Sequence, residues 1–272
     1  MQGLRNIFRW IVFSNIFVAF CVVTLNMSTE FLLDTYNCKI NQFLFFSTIF
    51  TYNYQRIVKS KRKLQQQKHW LLGGNKILLA LMLFSLLCSI FLFLQFKLQT
   101  QLLIVFLGII AVLYPFGLRE IPYCKIFIIT FVWSVSTVLL LVIENNLEIT
   151  SDVIYLFMGR LFFILAITIP FDIRDLKYDE SNLKTLPIIF GASKARLIGL
   201  LSLLVFEIIS ITQFYFHQIN FGFLIAITFS CIFGCNLIIK STQQKKDLYF
   251  SFWVESASVC LYAFLALSTL VF

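Results

Sequence analysis

The sequence has little charge and few of the features that mark soluble enzymes. Only 13% of its 272 residues are charged, whereas charged residues make up about a quarter of an ordinary soluble domain. It contains only four prolines and ten glycines, and no Pro-, Gly- or Ser-rich linker divides the chain. A dinucleotide-binding fingerprint and a P-loop are both absent. The low charge content excludes an ordinary soluble domain, and the missing motifs give no sign of a nucleotide-binding enzyme.

Hydrophobic residues make up 60% of the chain and occur in runs long enough to cross a bilayer, about 17 to 25 residues. The sequence therefore predicts an all-α membrane protein, with residues 1–272 forming a single domain of nine transmembrane helices. Polar residues such as Thr51 and Asn53 make the second run the least apolar. The predicted spans lie near 7–26, 40–57, 76–96, 100–116, 124–144, 152–172, 195–217, 220–239 and 248–271.

Lys and Arg residues are concentrated in alternate connections, and cytoplasmic loops are typically rich in these residues. Nineteen of the 22 lie on the side that also holds the N-terminus. We therefore expect an integral protein of the bacterial inner membrane, with a cytoplasmic N-terminus and an external C-terminus. The net charge of +9 is explained by this bias and by anionic lipid headgroups, so the predicted partner is membrane lipid and not nucleic acid.

Three carboxylates, Asp172, Asp175 and Asp179, follow the sixth apolar run in a D-x-x-D-x-x-x-D pattern. At helical pitch, steps of three and seven residues place all three on one face. Carboxylate oxygens suit Mg²⁺, which typically binds through one or two carboxylates together with phosphate oxygens. The spacing predicts a divalent-metal site at the cytoplasmic end of the sixth helix. A solvated helix end of mixed charge is the alternative that spacing alone leaves open.

Two stretches carry a family resemblance. Residues 172–191 read D-I-R-D-L-K-Y-D-E-S-N-L-K-T-L-P-I-I-F-G, and residues 114–122 read Y-P-F-G-L-R-E-I-P. The first resembles the second aspartate-rich motif of the UbiA superfamily of intramembrane prenyltransferases, and the second is similar to that family's segment after the fourth span. Nine helices match the family's fold. The resemblance implies Mg²⁺-dependent transfer of a prenyl group from a polyprenyl diphosphate to a lipophilic acceptor, such as an aromatic compound.

The resemblance also implies roles for individual residues. The catalytic metal ligands would be Asp172, Asp175 and Asp179, the last directly or through water. The phosphate partners would be Lys184, Arg174 and Lys177. Arg174 and Lys177 lie off the acid face of a helix, so contact with lipid headgroups is the alternative for these two residues.

The family's first motif, roughly N-D-x-x-D-R-x-x-D near the end of the second span, is not retained. Alignment on its D-R pair gives T-Y-N-Y-Q-R-I-V-K for residues 51–59. The acids are replaced by Tyr52, Gln55 and Lys59. An amide oxygen can still bind a metal, but without the negative charge that makes Mg²⁺ binding strong. The predicted contacts to cofactor or phosphate in this stretch are Asn53, Gln55 and Arg56, with a solvated helix end as the alternative.

Two outcomes remain open at this point. A single metal ion at Asp172 and Asp175 suffices if cations such as Arg56 and Lys59 replace the charge of a second ion, and the protein is then a prenyltransferase. Otherwise it is a noncatalytic member of the same fold that binds lipid or a partner protein. A transporter is a third class, but the sequence has no paired Gly- or Pro-broken helices in matching halves, the usual pointer to a transport site.

Charged residues inside the predicted spans need a partner, because charges in a bilayer are costly and usually face the bundle interior. Arg160 lies about 18 Å before Asp172 along a helix, and Glu207 about 21 Å after Ser193, the predicted N-cap of the next span. Similar depth in neighbouring helices predicts an Arg160–Glu207 ion pair with a structural role, or alternatively a role in substrate binding. Glu255, near the start of the last span, either assists the metal site or extends to the membrane surface.

Overall fold

The computed structural model describes residues 2–62, 76–118, 121–177 and 184–271, and it includes their side chains except at 2–5 and 59–62. All regular structure in these ranges is helical, which confirms the predicted all-α class. The helices are α1 (Gln2–Phe13), α2 (Ile16–Leu32), α3 (Cys38–Arg62), α4 (Lys76–Phe93), α5 (Leu98–Leu113), α6 (Cys124–Glu144), α7 (Ser151–Asp175), α8 (Leu186–Tyr215), α9 (Phe221–Ile239) and α10 (Tyr249–Val271).

The nine predicted spans correspond to α2 through α10 in the described part of the chain, although hydropathy alone supports fewer. Seven helices, α4 to α10, are long and apolar enough to cross a membrane, and α1 with α2 forms an eighth span if this bent pair is counted as one. The remaining helix, α3, has 25 residues but carries polar side chains at both ends. Hydropathy therefore supports at most eight of the nine predicted spans among the described residues. The span it does not support is α3, whose sequence is the least apolar of the nine.

The bounds predicted for the first span, 7–26, are wrong because the helix breaks at Asn15. This residue adopts a left-handed conformation with φ of 67°, which asparagine tolerates better than most residues. The chain turns by 63° between α1 and α2 at this point. Asn53 of α3 supports the break from the side, since its Nδ2 donates to the carbonyl of Ser14 at 3.1 Å.

Helix α7 occupies the centre of the bundle. It packs most extensively against α8 and also contacts α6, α9 and α10. In its most apolar stretch 61% of the residues are buried, against 11% in the span that begins with α5. The bundle closes where α10 packs against α2 and α2 against α3, while α4 lies outside against α3. The end of α7 is therefore enclosed by protein, whereas α4 and α5 are mostly exposed on the outside of the bundle.

Side-chain hydrogen bonds, mostly from amide groups, join the connection between α2 and α3 to the end of α6, at the end of the bundle opposite Asp172. Asn37 Nδ2 donates to Asn145 Oδ1 at 2.7 Å, and Asn145 Nδ2 donates to Thr35 Oγ1 at 2.7 Å. Glu30 Oε1 accepts the backbone N–H of Asn37 at 2.9 Å. These bonds tie the connection between α2 and α3 to the end of α6.

The predicted ion pair between Arg160 and Glu207 is wrong, since these two described side chains bond to different helices. Arg160 Nη2 donates to Ser28 Oγ at 2.7 Å and to Thr29 Oγ1 at 3.0 Å in α2. Glu207 Oε1 accepts from Thr228 Oγ1 of α9 at 2.6 Å. Depth along a helix is readable from sequence, but the rotation that decides which neighbour a side chain meets is not.

Arg160→Met and Glu207→Gln are expected to act independently on stability, because the two side chains share no partner. A double-mutant cycle based on thermal unfolding in detergent should give a coupling energy within about 0.5 kcal/mol of zero. A coupling energy clearly above that range would reinstate the ion pair.

Gly191, the last residue of the stretch 172–191, interrupts α8 near its start. Helix α8 begins at Leu186, not after the predicted N-cap Ser193, and Gly191 inside it has φ of 79° and ψ of 155°. This backbone region is essentially restricted to glycine. A Cβ at this position would meet nothing within 4 Å, so the backbone conformation and not the available space requires glycine here. The break separates the turn beside Asp172 from the long span that follows.

Candidate active site

The connection before α6 and the connection before α8 meet beside the end of α7. Tyr123, with a left-handed φ of 66°, donates its backbone N–H to the carbonyl of Lys184 at 3.1 Å. This bond joins the connection before α6 to the connection before α8. It also places the first turn of α6 against the last turn of α7, where Asp172 and Asp175 lie.

Asp172 and Asp175 approach a single cation, the ammonium group of Lys125 at the start of α6. Lys125 Nζ lies 2.8 Å from Asp172 Oδ1 and 2.9 Å from Asp175 Oδ2. The side chains of Asp172, Lys125 and Asp175 are 1%, 7% and 13% exposed. We call these three residues the acid–lysine cluster. Its geometry shows that both carboxylates can bind one cation at the same time.

Arg174 completes the charge balance. Its Nη2 and Nε donate to Asp175 Oδ1 at 2.8 and 3.0 Å, and its guanidinium carbon lies 5.2 Å from the ring centre of Phe171 and 5.8 Å from that of Phe250. Such contacts allow cation–π attraction. Arg174 therefore turns towards the acids and not only towards lipid headgroups, and the two carboxylates face two cations.

A small cavity of about 10 Å³ adjoins Lys125 and Asp172, with room for about one water molecule. Tyr123, Lys184 and Thr185 also line it. Lys184 is exposed there, and Lys177 is exposed just after the end of α7. In the described ranges no three His, Cys, Asp or Glu side chains form a metal-binding group.

The predicted third acid, Asp179, lies outside the described residues. Helix α7, which carries the other two acids, ends at Asp175. Of the three predicted carboxylates, the described structure therefore brings together two, Asp172 and Asp175.

Asn53, from the altered first motif, is fully buried, with 0% exposure. Its Oδ1 accepts from Asn15 Nδ2 at 2.9 Å, and its Nδ2 donates to the carbonyls of Ser14 at 3.1 Å and Ile49 at 2.9 Å. These contacts join α3 to the break between α1 and α2. The described geometry thus gives Asn53 a packing role.

The other two predicted contacts of this stretch also bond to neighbouring helices. Gln55 Nε2 donates to the carbonyl of Ala111 at 3.0 Å. Arg56 donates to the carbonyl of Phe13 and, at 3.0 Å, to Asn15 Oδ1. Across the described side chains, neither residue is hydrogen-bonded to the acid–lysine cluster. A direct contact with substrate remains a prediction for both.

Lys125 has no role in the sequence-based prediction beyond its share of the loop charge. A signal for it was present, because Lys125 is the second residue of the predicted span 124–144. Charged residues inside spans usually face the bundle interior and find partners there. The same reasoning that singled out Arg160 would have selected Lys125.

Glu255 is a second buried acid near the site. It is 8% exposed and directly follows a π-helical turn, Tyr249–Val254, a feature frequent at functional sites. Its carboxylate lies within electrostatic range of Arg174 and of Tyr52. Glu255 is therefore buried in the bundle and does not extend to the membrane surface.

A larger cavity of about 200 Å³ opens between α3, α4 and α5, away from the acids. Its lining is almost entirely apolar and includes Phe43, Phe50, Phe93 and Ile104. It has no lining residue in common with the small cavity beside Asp172. Its surface suits hydrocarbon and contributes no charge to the candidate site.

The model of the UbiA prenyltransferase family matches residues 75–257, more than half of the chain. The chain belongs to this family. It is an integral membrane protein with the UbiA fold, as its apolar helices and the family match together show. The matched range contains the acid–lysine cluster and Glu255, whereas α1 to α3 lie outside it. A comparison with curated proteins gave no match.

Solved UbiA structures share the fold across nearly the whole chain. An apo UbiA homologue from Aeropyrum pernix K1 has a TM-score of 0.66 at 10% identity, covering 93% of this chain and 98% of its own. A structure described as digeranylgeranylglyceryl phosphate synthase gives 0.62 at 16% identity, covering 100% and 98%. A homologue from Archaeoglobus fulgidus, bound to GPP and Mg²⁺, gives 0.59 at 14% identity, covering 92% and 96%.

Proposed function

We propose that this UbiA-family protein transfers a prenyl group from a polyprenyl diphosphate to a lipophilic acceptor, in a reaction that depends on Mg²⁺. The observation that carries the proposal is the convergence of Asp172 Oδ1 and Asp175 Oδ2 on one cation, at 2.8 and 2.9 Å. Two carboxylates together with phosphate oxygens of the substrate are a typical Mg²⁺ ligand set. The Archaeoglobus homologue bound to GPP and Mg²⁺ supports this ligand class.

Each residue of the site has a part in this reaction. Asp172 and Asp175 would hold the metal ion, which when bound neutralises charge on the leaving diphosphate. Arg174 fixes the orientation of Asp175 through its two hydrogen bonds. Lys184, exposed beside the small cavity, and Lys177 would bind phosphate oxygens, and Asp179 would bind the metal ion directly or through water. Asn53 acts through the position of α3, and a phosphate contact of Gln55 or Arg56 remains a prediction that this reaction does not require.

The chemical step separates the prenyl group from its diphosphate. The bond between the allylic carbon and the bridging oxygen breaks, and both electrons remain on the diphosphate. The acceptor supplies the electron pair for the new bond to that carbon and then releases a proton. Cations fixed beside the diphosphate stabilise its charge as it develops, and these are the groups that the acid–lysine cluster assembles.

We further propose that residues 1–272 act as one nine-helix domain in the bacterial inner membrane. The Lys and Arg bias of the sequence supports a cytoplasmic N-terminus and an external C-terminus. In this orientation the acid–lysine cluster opens towards the cytoplasm, where Mg²⁺ and the charged diphosphate are available. The prenyl chain and the acceptor reach the site from the membrane lipid.

A second candidate, a noncatalytic member of the family that binds lipid or a partner protein, is favoured by two observations on the altered first motif. The side chains of Asn53, Gln55 and Arg56 are bonded within the bundle. No carboxylate replaces the family's first-motif acids in residues 51–59. The two candidates differ in whether a diphosphate binds together with a metal ion.

Binding of geranyl S-thiolodiphosphate, which resists ionisation, tests the proposal with purified protein. We expect Mg²⁺ to raise its affinity about tenfold or more, equal to about 1.4 kcal/mol, and Asp172→Asn to remove this gain. Asp152→Asn is a matched control, because it makes the same change at the other end of α7. An affinity of the native protein that is the same in Mg²⁺ and in EDTA would overturn the proposal and favour the noncatalytic candidate.

A further inference from the structure

The position of the Lys125 ammonium group is unusual for a protein whose acids are expected to bind Mg²⁺. Lys125 Nζ lies between the two carboxylates, within 2.8 and 2.9 Å of one oxygen of each. The lysine is placed there by the fold, since the neighbouring Tyr123 is bonded to the backbone of Lys184. A metal ion that binds both acids must take the place of this ammonium group.

The charges at the site show what such a lysine contributes. Asp172 and Asp175 are offset by Lys125 and Arg174, so the four groups have no formal net charge. A prenyl diphosphate brings roughly two to three negative charges near neutral pH. Because the four groups are neutral together, adding one Mg²⁺ and the diphosphate leaves the site with between zero and about one negative charge. One metal ion therefore brings the site close to neutrality, and a lysine that moves from the acids to the diphosphate places its positive charge beside the phosphate oxygens.

The altered first motif is consistent with this account. Sites with two metal ions stabilise both the attacking and the leaving oxygens through ions held by separate ligands. In residues 51–59, the positions of the family's acids hold Tyr52, Gln55 and Lys59, and Gln55 is bonded to α5. Arg56, the cation considered as a replacement for the second ion, is bonded to the break at Asn15. Among the described side chains, Lys125 is a buried cation that touches both acids.

We propose that Lys125 is an internal cation that stands in for a second metal ion. In the free protein it occupies the acids and competes with Mg²⁺; when one Mg²⁺ and the prenyl diphosphate bind together, it moves to the phosphate oxygens. Lysine suits this exchange, because its ammonium group is a mobile point charge with three donors. The inference rests on the proposed function and predicts one metal ion per chain.

If the lysine exchanges in this way, Lys125→Met should change the affinities for the metal ion and for the diphosphate in opposite directions. Loss of the competing ammonium group is expected to raise the affinity for Mn²⁺ alone, measured by electron paramagnetic resonance, about tenfold. Loss of the phosphate contact is expected to lower the affinity for geranyl S-thiolodiphosphate at saturating metal by about tenfold, as for a charge-assisted hydrogen bond. A lysine with a purely structural role would lower both affinities together.

The experiment compares the native protein with Lys125→Met, Lys125→Gln and Lys125→Arg. Lys125→Gln keeps a donor beside the acids without the charge and replaces the methionine variant if that variant does not fold. Lys125→Arg should retain diphosphate binding. Lys97→Met is the matched control, since Lys97 lies at the opposite end of the bundle beside Glu144, and both of its affinities should equal those of the native protein.

The outcomes separate this inference from the proposed function. One Mn²⁺ per native chain in the presence of geranyl S-thiolodiphosphate, with opposite shifts in the uncharged Lys125 variants, supports the internal cation. Two Mn²⁺ per chain, or shifts of the same sign, would overturn it while leaving the proposed function intact. If metal does not promote binding of the thiolodiphosphate to the native protein, both the function and the inference fail.

Discussion

Asp172→Asn is expected to reduce the metal-dependent release of diphosphate from geranyl diphosphate by about a thousandfold or more. Asparagine has nearly the same shape as aspartate but lacks the charge that holds the metal ion. A metal ion supplies several kcal/mol of charge stabilisation in such reactions, and each 1.36 kcal/mol changes a rate about tenfold. The rate can be measured in proteoliposomes that contain a native lipid extract as the source of acceptor.

Two controls isolate the effect of the metal ligand. Asp152→Asn changes an aspartate of the same helix at the opposite end and should keep the native rate. Thermal unfolding shows whether Asp172→Asn still folds, because this substitution removes the carboxylate of Asp172 from the ammonium group of Lys125. A folded Asp172→Asn protein that keeps more than about a tenth of the native rate would show that Asp172 is not a catalytic metal ligand.

The acid pair was predictable because it depends on one helix alone. Spacing of three residues places Asp172 and Asp175 on one face of any helix, and the structure has them in the last turn of α7. Lys125 was not predictable in the same way, since it is 50 residues from Asp175. Its position depends on a backbone bond between two connections, and no local pattern in the sequence encodes that bond.

The limits of prediction are clearest at the start of the chain. Residues 7–26 are mostly apolar, with Arg9 as their one charged residue, so their hydropathy indicates one span. The left-handed Asn15 divides the run, and an isolated asparagine in an apolar segment does not reveal its backbone conformation. For the same reason, the alignment of residues 51–59 with the first motif located Asn53 but not its partners around that break.

The partners of Asn53 suggest what has happened to the first motif. In place of acids that face a second metal ion, α3 carries polar side chains that hold the break between α1 and α2 and contact α5. The charge that a second ion would provide is supplied, in our proposal, from α6 by Lys125. The stretch 51–59 then positions helices, and the chemistry depends on α6 and α7.

Asn53→Leu is accordingly expected to reduce stability strongly while leaving metal-dependent binding intact. Asn53 is fully buried, and its loss leaves Asn15 Nδ2 and the carbonyl of Ser14 without the partners they now have. Unpaired buried polar groups cost about 1 to 3 kcal/mol each. A loss of about 2 kcal/mol corresponds to a fall of about 4 to 8 °C in the unfolding midpoint for a chain of this size class.

The measurement pairs thermal unfolding in detergent with binding of geranyl S-thiolodiphosphate, the latter at a temperature where the variant is folded. Asn236→Leu is the matched control, because Asn236 is exposed on α9 and its side chain donates to the carbonyl of Ile232, one turn earlier in the same helix. We expect its unfolding midpoint to match or exceed that of the native protein. If Asn53→Leu keeps the native midpoint but no longer binds the thiolodiphosphate, then Asn53 contacts the substrate, and α3 belongs to the chemistry after all.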